Sequence, residues 1–377
     1  MKKATVSDII SVMEKIAPQS LAEKWDNIGL QIGSSFNTVR KIRIALDPSF
    51  SVINKACKDN IDLLIAHHPF IFAPLKQIRE DAAPGKSIYR AIKSDLAIFV
   101  AHTNLDKVKN GLNDLLAKKI GLTDIKIFGP KQESEYVKLA FFAPEDFEEK
   151  LLNRLFEISD FQIGNYSCCS FRNYGAGTFM PHQNAKPFIG ETDKISHVKE
   201  IKIEAIIEKN KISKIIAALK SAHPYEVMAY DIYPLYTSSS ENGLARQGKF
   251  NKPETLDNLA RKIKKKLKLS HLKYCGKTDI KVNKAAICAG SGSSLMKNFL
   301  KSDADVYITG DVRYHDAKDA ENNGRGIIDI GHFGSEIIIT KELTQRLSKL
   351  LAQAGFDITV EACDSEKESF KTIGYDK

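Results

Sequence analysis

Short apolar runs alternate with amphipathic stretches along most of this chain, the rhythm of strands and helices in turn. Ile61 to Ala66, Leu96 to Val100, Ala285 to Ala289 and Ile327 to Ile330 are almost uninterrupted apolar runs, which read as strands covered on both faces. Two segments superpose in pattern without a gap: Ile44–Ser49 through Asp62–His68, and Ile287–Gly292 through Asp305–Asp311. Each reads strand, turn, helix, Asp, strand, polar pair, with Asp62 meeting Asp305 and His68 meeting Asp311. At a different offset, His102 and Asp106 meet His332 and Glu336. This repetition predicts an internal duplication whose halves form opposite walls of one cleft.

Residues 131–240 have a different character. Tyr136 to Ala143 reads as a strand and Pro144 to Phe156 as a helix; Ile201 to Ile207 and Lys211 to Lys220 repeat the pair, and Tyr230 to Tyr236 closes it. With strands at Cys168 to Arg172 and Thr178 to Met180, the order is that of a ferredoxin-like module, and Tyr174 to Gly190 is expected as a long hairpin or loop. The predicted fold class is therefore α/β: two duplicated halves, 1–130 and 241–377, form one discontinuous domain, interrupted by an α+β insert at 131–240. Gly129-Pro130 and Thr237 to Gly243 have the turn composition of joints.

Composition fits this organisation. A chain of 377 residues, 43% of them hydrophobic, is too long for one ordinary core. No stretch is apolar enough to span a membrane and the N-terminus lacks a signal-peptide core, so a soluble, cytoplasmic protein is expected. The cysteines show no C-x-x-C spacing and are expected as reduced thiols. The net charge of +9 includes a dense block at Arg261 to Lys268. On a helix that block leaves Leu259, Ile263 and Leu267 facing inward, so the lysines read as a solvated face before they read as a nucleic-acid site. The charge favours an anionic small-molecule ligand.

Three of the predicted strands end in metal-ligand chemistry. His67 and His68 follow Ala66, His102 follows the Leu96 to Val100 run with Asp106 four residues on, and Gly331-His332 follows Ile330 with Glu336 again four residues on. Adjacent histidines can serve one site only where a strand has just ended and its alternation is broken. A spacing of four puts His332 and Glu336 on one face of a helix. The C-terminal ends of strands are where open α/β sheets place their sites.

Trp25-Asp26-Asn27-Ile28-Gly29-Leu30, Ala66-His67-His68-Pro69-Phe70, Ala101 to Asp106, Thr309 to His315 and Gly331 to Glu336 together resemble the GTP cyclohydrolase 1 type 2 homologues, also called NGG1-interacting factor 3-like proteins. The match covers nearly the whole chain, and the insert looks like the PII-like module of the longer bacterial members. The resemblance implies a dinuclear divalent-metal site on His67, His68, Asp106, His332 and Glu336, and a toroidal homo-hexamer. It also suggests one ion on His67 and His332, the other on His68 and Asp106, with Glu336 bridging.

Imidazoles mixed with carboxylates suit zinc foremost, with manganese, iron, nickel or cobalt accepting the same ligands. Two such ions about 3.5 to 4 Å apart lower the pKa of a shared water. His102, Asp311 and His315 are expected just outside the ligand set, orienting ligands or moving protons. Gly290-Ser291-Gly292 is a weak candidate for an anion cradle at a helix start. The leading expectation is a metal-dependent hydrolase of a nucleotide-like or phosphorylated substrate; the family name would place the attack on the imidazole-ring carbon of GTP. The alternative is a metal-binding regulatory or metal-handling protein with a ligand-sensing insert. No proposed ligand lies in the insert.

Overall fold

The computed structural model describes residues 3–129, 136–159, 162–163, 165–235, 242–371 and 373. The chain divides into two compact units, Met1–Lys131 with Glu241–Lys377, and Gln132–Ser240. Of the expected joints, Pro130 and residues 237–241 lie outside the described residues, as does the last residue of the strand expected over 230–236.

The discontinuous unit holds two mixed sheets. In the first, Lys41–Ala45, Leu63–Ala66 and Ala97–Val100 run parallel; Thr359–Ala362 adds a parallel edge and Gly29–Ile32 an antiparallel one. In the second, Lys281–Ser291, Val306–Gly310 and Gly326–Asp329 run parallel. Lys273–Cys275 flanks them antiparallel on one side, and Ala245–Thr255 followed by Leu122–Phe128 on the other. Every residue of Leu63–Ala66, Ala97–Val100 and Val306–Gly310 is buried, which explains why these strands read as unbroken apolar runs and not as alternations.

Both parallel trios are tied by the same backbone device. The Asp62 carboxylate accepts from the N–H groups of Arg40 and Lys41 at 2.7 and 2.8 Å, and the Asp305 carboxylate from those of Asn283 and Lys284, each at 2.8 Å. Past the strand ends, Ala101 donates to the carbonyl of Ala66 and Ile330 to that of Thr309. These bonds hold the strand ends in register, and the residues that follow them emerge at one level.

Helices seal this unit. Val6–Ile16 starts from a capping box in which the Thr5 side chain accepts from the Asp8 N–H and the Asp8 carboxylate accepts from the Thr5 N–H. Its buried positions, Val6, Ile9, Met13 and Ile16, recur at helical spacing and join one core with residues of both sheets and of the helices Leu112–Ile120, Leu256–Leu267 and Ile338–Gln353. In Leu256–Leu267, Leu259 and Ile263 are buried while Arg261, Lys262, Lys264, Lys265 and Lys266 are exposed. Buried polar side chains bind the segment after Asp106 to the second sheet. Arg246 forks onto Asp114, and Asn113 donates to the carbonyls of Asp106 and Leu244 while accepting from the Ala289 N–H.

The second unit has a four-stranded antiparallel sheet, in the order Ser170–Phe179, Ser196–Glu208, Tyr136–Pro144, Tyr230–Pro234, and a two-stranded one of Gln162–Ile163 with Tyr166–Ser167, with helices Glu148–Phe156 and Ile212–Ala222 contributing to its core. Of the hairpin or loop expected over 174–190, the hairpin is what forms: the separate short strands expected there merge into one, and Tyr174 to Phe179 pairs with Ser196 to Ile201 of the neighbouring strand so that Tyr174 lies opposite Ile201 and Phe179 opposite Ser196. None of the merged strand's residues is buried, so no alternation marked it; the longer partner strand specifies it instead.

Each unit brings its own entry and exit together. In the first, Ala245 sits opposite Phe128 across an antiparallel pair; in the second, Pro234 sits opposite Val137.

Candidate metal centre

The strand ends of the first unit deliver His67, His68, His102, Asp106, His332 and Glu336 into one cluster. His68 and His332 lie with their Nε2 atoms 3.3 Å apart, and both approach Glu336 Oε2, at 2.8 and 3.1 Å. His67 Nε2 faces Asp106 Oδ1 at 3.6 Å and Glu336 Oε1 at 3.9 Å. Glu336 thus turns one oxygen to each set. The resulting grouping is His68 with His332 and His67 with Asp106, not the pairing of His67 with His332 that the family resemblance suggested. A ring nitrogen of His102 lies within 4.8 Å of those of His67 and His68, so His102, expected outside the ligand set, sits beside these two rings.

All four imidazoles are oriented alike, each from its Nδ1. His67 Nδ1 donates to the Ala101 carbonyl at 2.9 Å, His68 Nδ1 to Asp47 at 2.7 Å, His102 Nδ1 to Asp26 at 2.9 Å and His332 Nδ1 to Asp311 at 2.7 Å. An acceptor on Nδ1 fixes the tautomer with its lone pair on Nε2, facing the cluster, and this is the way metal-binding histidines are held. Asp47 is itself positioned through Glu366, whose carboxylate accepts from the N–H groups of Leu46 and Asp47. Asp26 accepts from the Thr103 N–H as well. Burial pushes the Asp26 carboxyl up, but its bonds from His102 and Thr103 outweigh that and hold it at about 2.

The electrostatics show what such a cluster lacks. Burial disfavours charge on His68, yet the carboxylates of Asp47 and Glu336 raise it to about 10. The Glu336 carboxylate, set against the cost of burial, raises His332 to about 9. Burial would raise Glu336, but its bonds from His332 and His68 hold it well below the usual range, whereas burial leaves Asp106 raised. Two buried atoms of the cluster still have no hydrogen-bond partner, His67 Nε2 and Asp106 Oδ1, and they face each other. Buried polar atoms are seldom left unpaired. A nitrogen lone pair and a carboxylate oxygen that face each other unbridged are a fit for a metal ion.

The turn Gly290–Gly292 serves this cluster through its lack of side chain. A Cβ on Gly290, whose φ is +63°, would stand 2.3 Å from Glu336 Oε1 and 3.4 Å from His332 Nε2. Two donors of the expected anion cradle are taken: the Gly290 N–H donates to Ser335 Oγ and that of Gly292 to Thr309 Oγ1. Gly290→Ala is expected to push Glu336 out of place and to weaken metal retention at least about 10-fold, as loss of a supporting partner does. Metal content after dialysis against a graded chelator measures this; retention equal to wild type would refute it.

Asp311 and His315, expected near the cluster, part ways. Asp311 binds His332, while His315 is exposed on the helix Tyr314–Asn322 with its ring against Tyr314. The two do not share a helix face, because Asp311 precedes that helix and has a left-handed backbone, φ 53°. A cleft of about 680 Å³ opens beside the cluster, lined by His68, Asp47, Ser49, Phe70, Phe333 and Lys367 among others.

Fold and site together define a mixed α/β protein with a histidine- and carboxylate-lined candidate metal centre at its strand ends. The sequence model of the family described as Duf34/NIF3 (NGG1p interacting factor 3) matches residues 4–369, and the chain belongs to that family. A GTP cyclohydrolase 1 type 2 homolog of Halalkalibacterium halodurans is 38% identical over 373 residues, 99% of this chain and 100% of the relative. One of Bacillus subtilis is 35% identical over 369 residues, 98% and 99% of the two chains. The crystal structure of the Bacillus cereus protein related to NIF3 is similar with a TM-score of 0.70 at 36% identity, covering 99% of this chain and 100% of the other. A Staphylococcus aureus protein gives a TM-score of 0.75 at 29% identity with the same coverage. No helix among the described residues is long and apolar enough to cross a membrane.

Proposed function

We propose that this chain is a divalent-metal-dependent hydrolase of a nucleotide-like or phosphorylated substrate, with a dinuclear centre. The observation that carries this reading is the pair of buried, partnerless atoms His67 Nε2 and Asp106 Oδ1 beside a carboxylate, Glu336, that turns an oxygen to each of two histidine sets. His67, Asp106 and Glu336 Oε1 would hold one ion, zinc foremost, with His102 close by; His68, His332 and Glu336 Oε2 would hold the other. Two such ions supply Lewis acidity and an activated water near neutral pH.

The chain's own part is orientation and access. Asp26, Asp47, Asp311 and the Ala101 carbonyl keep each imidazole in its ligand tautomer, so no reorganisation is needed when substrate arrives. The cleft at His68 admits a polar or charged group, and Lys367 there supplies positive charge.

The same reading takes the two halves as duplicated, supported by the matching Asp62 and Asp305 bonds, and the second unit as a ferredoxin-like, PII-like insert, supported by its strand order. With the family resemblance it extends to a cytoplasmic homo-hexamer.

The test is turnover by metal-loaded chain of GTP, other nucleoside triphosphates and phosphomonoesters, set against Glu336→Ala. At least one substrate is expected to react with wild type only. Activity that survives in Glu336→Ala, or none across the panel, would tell against a hydrolase.

A further inference from the structure

The aromatic side chains at the rim of the cluster have no structural task that accounts for their exposure. Trp25 is 61% exposed and Phe72 57%, yet they meet edge to face with ring centroids 6.0 Å apart. Trp25 also contacts His102, at 6.3 Å, and His102 contacts His67, at 5.2 Å, so an aromatic path runs from open solvent to the cluster. Exposed aromatics on a mobile loop would mean little, but both supporting segments are pinned. Asp26, next to Trp25, is bonded to His102 and Thr103, and the Glu23 N–H donates to Thr103 Oγ1. Gln31 Oε1 accepts from the N–H groups of Phe70 and Ile71, each at 2.9 Å, while Gln31 Nε2 donates to the Asn27 carbonyl at 2.8 Å. The two loops are thus stitched together with their aromatic faces held open to water.

We propose that Trp25 and Phe72 form the recognition platform for a planar heteroaromatic ring of the substrate. The inference rests on the hydrolase reading and names the substrate class: a ring that stacks at the rim, joined to a polar or anionic part. Held surfaces of this kind recognise bases because every base has a π-face, and a rigid aromatic loses little freedom when it is covered. The His102 and His68 rings are 5.7 Å apart, and His68 lines the polar cleft. A ligand with its ring on Trp25 would have its charged end towards the His68 side, where the cleft also carries Lys367. An aromatic pair alone would suit any apolar partner; its continuity with imidazoles oriented towards a charged cluster favours a ligand that is flat at one end and charged at the other.

Trp25 is the chain's single tryptophan, so its fluorescence reports on this spot alone. The experiment titrates metal-loaded full chain with GMP, UMP and ribose 5-phosphate, which lacks the ring. Saturable quenching by at least one nucleotide, and none by ribose 5-phosphate, is expected. Calorimetry should show Trp25→Ala and Phe72→Ala each binding that nucleotide about 10-fold or more weakly, Trp25→Phe restoring most of the affinity, and metal content unchanged in all. Equal quenching by ribose 5-phosphate, no quenching, or unaltered affinity in both alanine variants would overturn the proposal. So would a blue-shifted, unresponsive emission together with dissociation of an oligomer by Trp25→Ala, which would mean that a second copy covers the platform. Binding is read without turnover, so absence of hydrolysis defeats the earlier reading and leaves this result legible.

Discussion

Glu336→Ala is expected to empty the centre. Glu336 is 3% exposed and sends Oε2 to His68 and His332 and Oε1 towards His67, so it serves both sets of ligands at once. Truncation takes a carboxylate from each candidate ion position and leaves imidazoles facing one another without a counter-charge. Removing an outer partner such as Asp311 typically weakens metal binding roughly 10- to 100-fold; loss of a shared carboxylate is expected to exceed that. Elemental analysis of the purified variant should find metal at background, whereas wild type is expected to hold close to two ions per chain. A thermal melt gives a second measure, because an ion at about 100 times its Kd stabilises by about 2.7 kcal/mol. Wild type should show that gain on metal addition and Glu336→Ala should not. Equal metal content in the two proteins would sink the dinuclear assignment.

Arg246→Ala should bring the largest loss of stability. The side chain is 2% exposed, bonds both oxygens of Asp114 at 2.8 and 2.9 Å, and donates to the carbonyls of Lys107 and Val108, each at 3.2 Å, as well as to those of Gly243 and Ala245. Alanine would leave a carboxylate and several carbonyls buried beside a void. Breaking a buried pair from one side costs about 3–5 kcal/mol, because the surviving charge has nowhere to go. Lysine cannot reproduce the fork and is expected to recover little. Replacing both partners with apolar residues, Arg246→Met with Asp114→Leu, should restore much of the loss. Denaturant unfolding measures all of these, and a loss below about 1 kcal/mol in Arg246→Ala would show that solvent reaches Asp114.

The parts of the site legible in sequence are those that follow a buried strand. Leu63–Ala66 and Ala97–Val100 announce themselves as apolar runs, and a histidine after such a run has a defined place in space. What orients those histidines is not legible. Asp26 and Asp47 are single carboxylates in loops, and Asp26 reaches His102 across 76 positions of chain. Asp26 stands in a motif that carries the family resemblance, but the motif does not say which histidine it serves, and nothing local marks Asp47 at all; the role of His102 and the grouping of ligands by oxygen of Glu336 are properties of the folded geometry. Gly290 shows the converse. A glycine between strand and helix is a weak signal in sequence, and the folded chain gives it a reason that sequence does not carry, room for Glu336.

The paired chain ends, Phe128 opposite Ala245 in one unit and Val137 opposite Pro234 in the other, bear on the order of folding. During synthesis Leu122–Phe128 leaves the ribosome about a hundred residues before its partner, and the Ala245–Thr255 strand stands between it and the rest of its sheet. Closing an unfolded loop of about a hundred residues costs about 2 kcal/mol more than closing one of about ten. Once the intervening unit has folded, its own ends lie side by side, and the long loop behaves as two short connectors. Folding of residues 132–240 before their host is therefore expected to speed closure of the sheet whose strand Gly326–Asp329 leads into His332 and Glu336, and a defect in those residues to slow it.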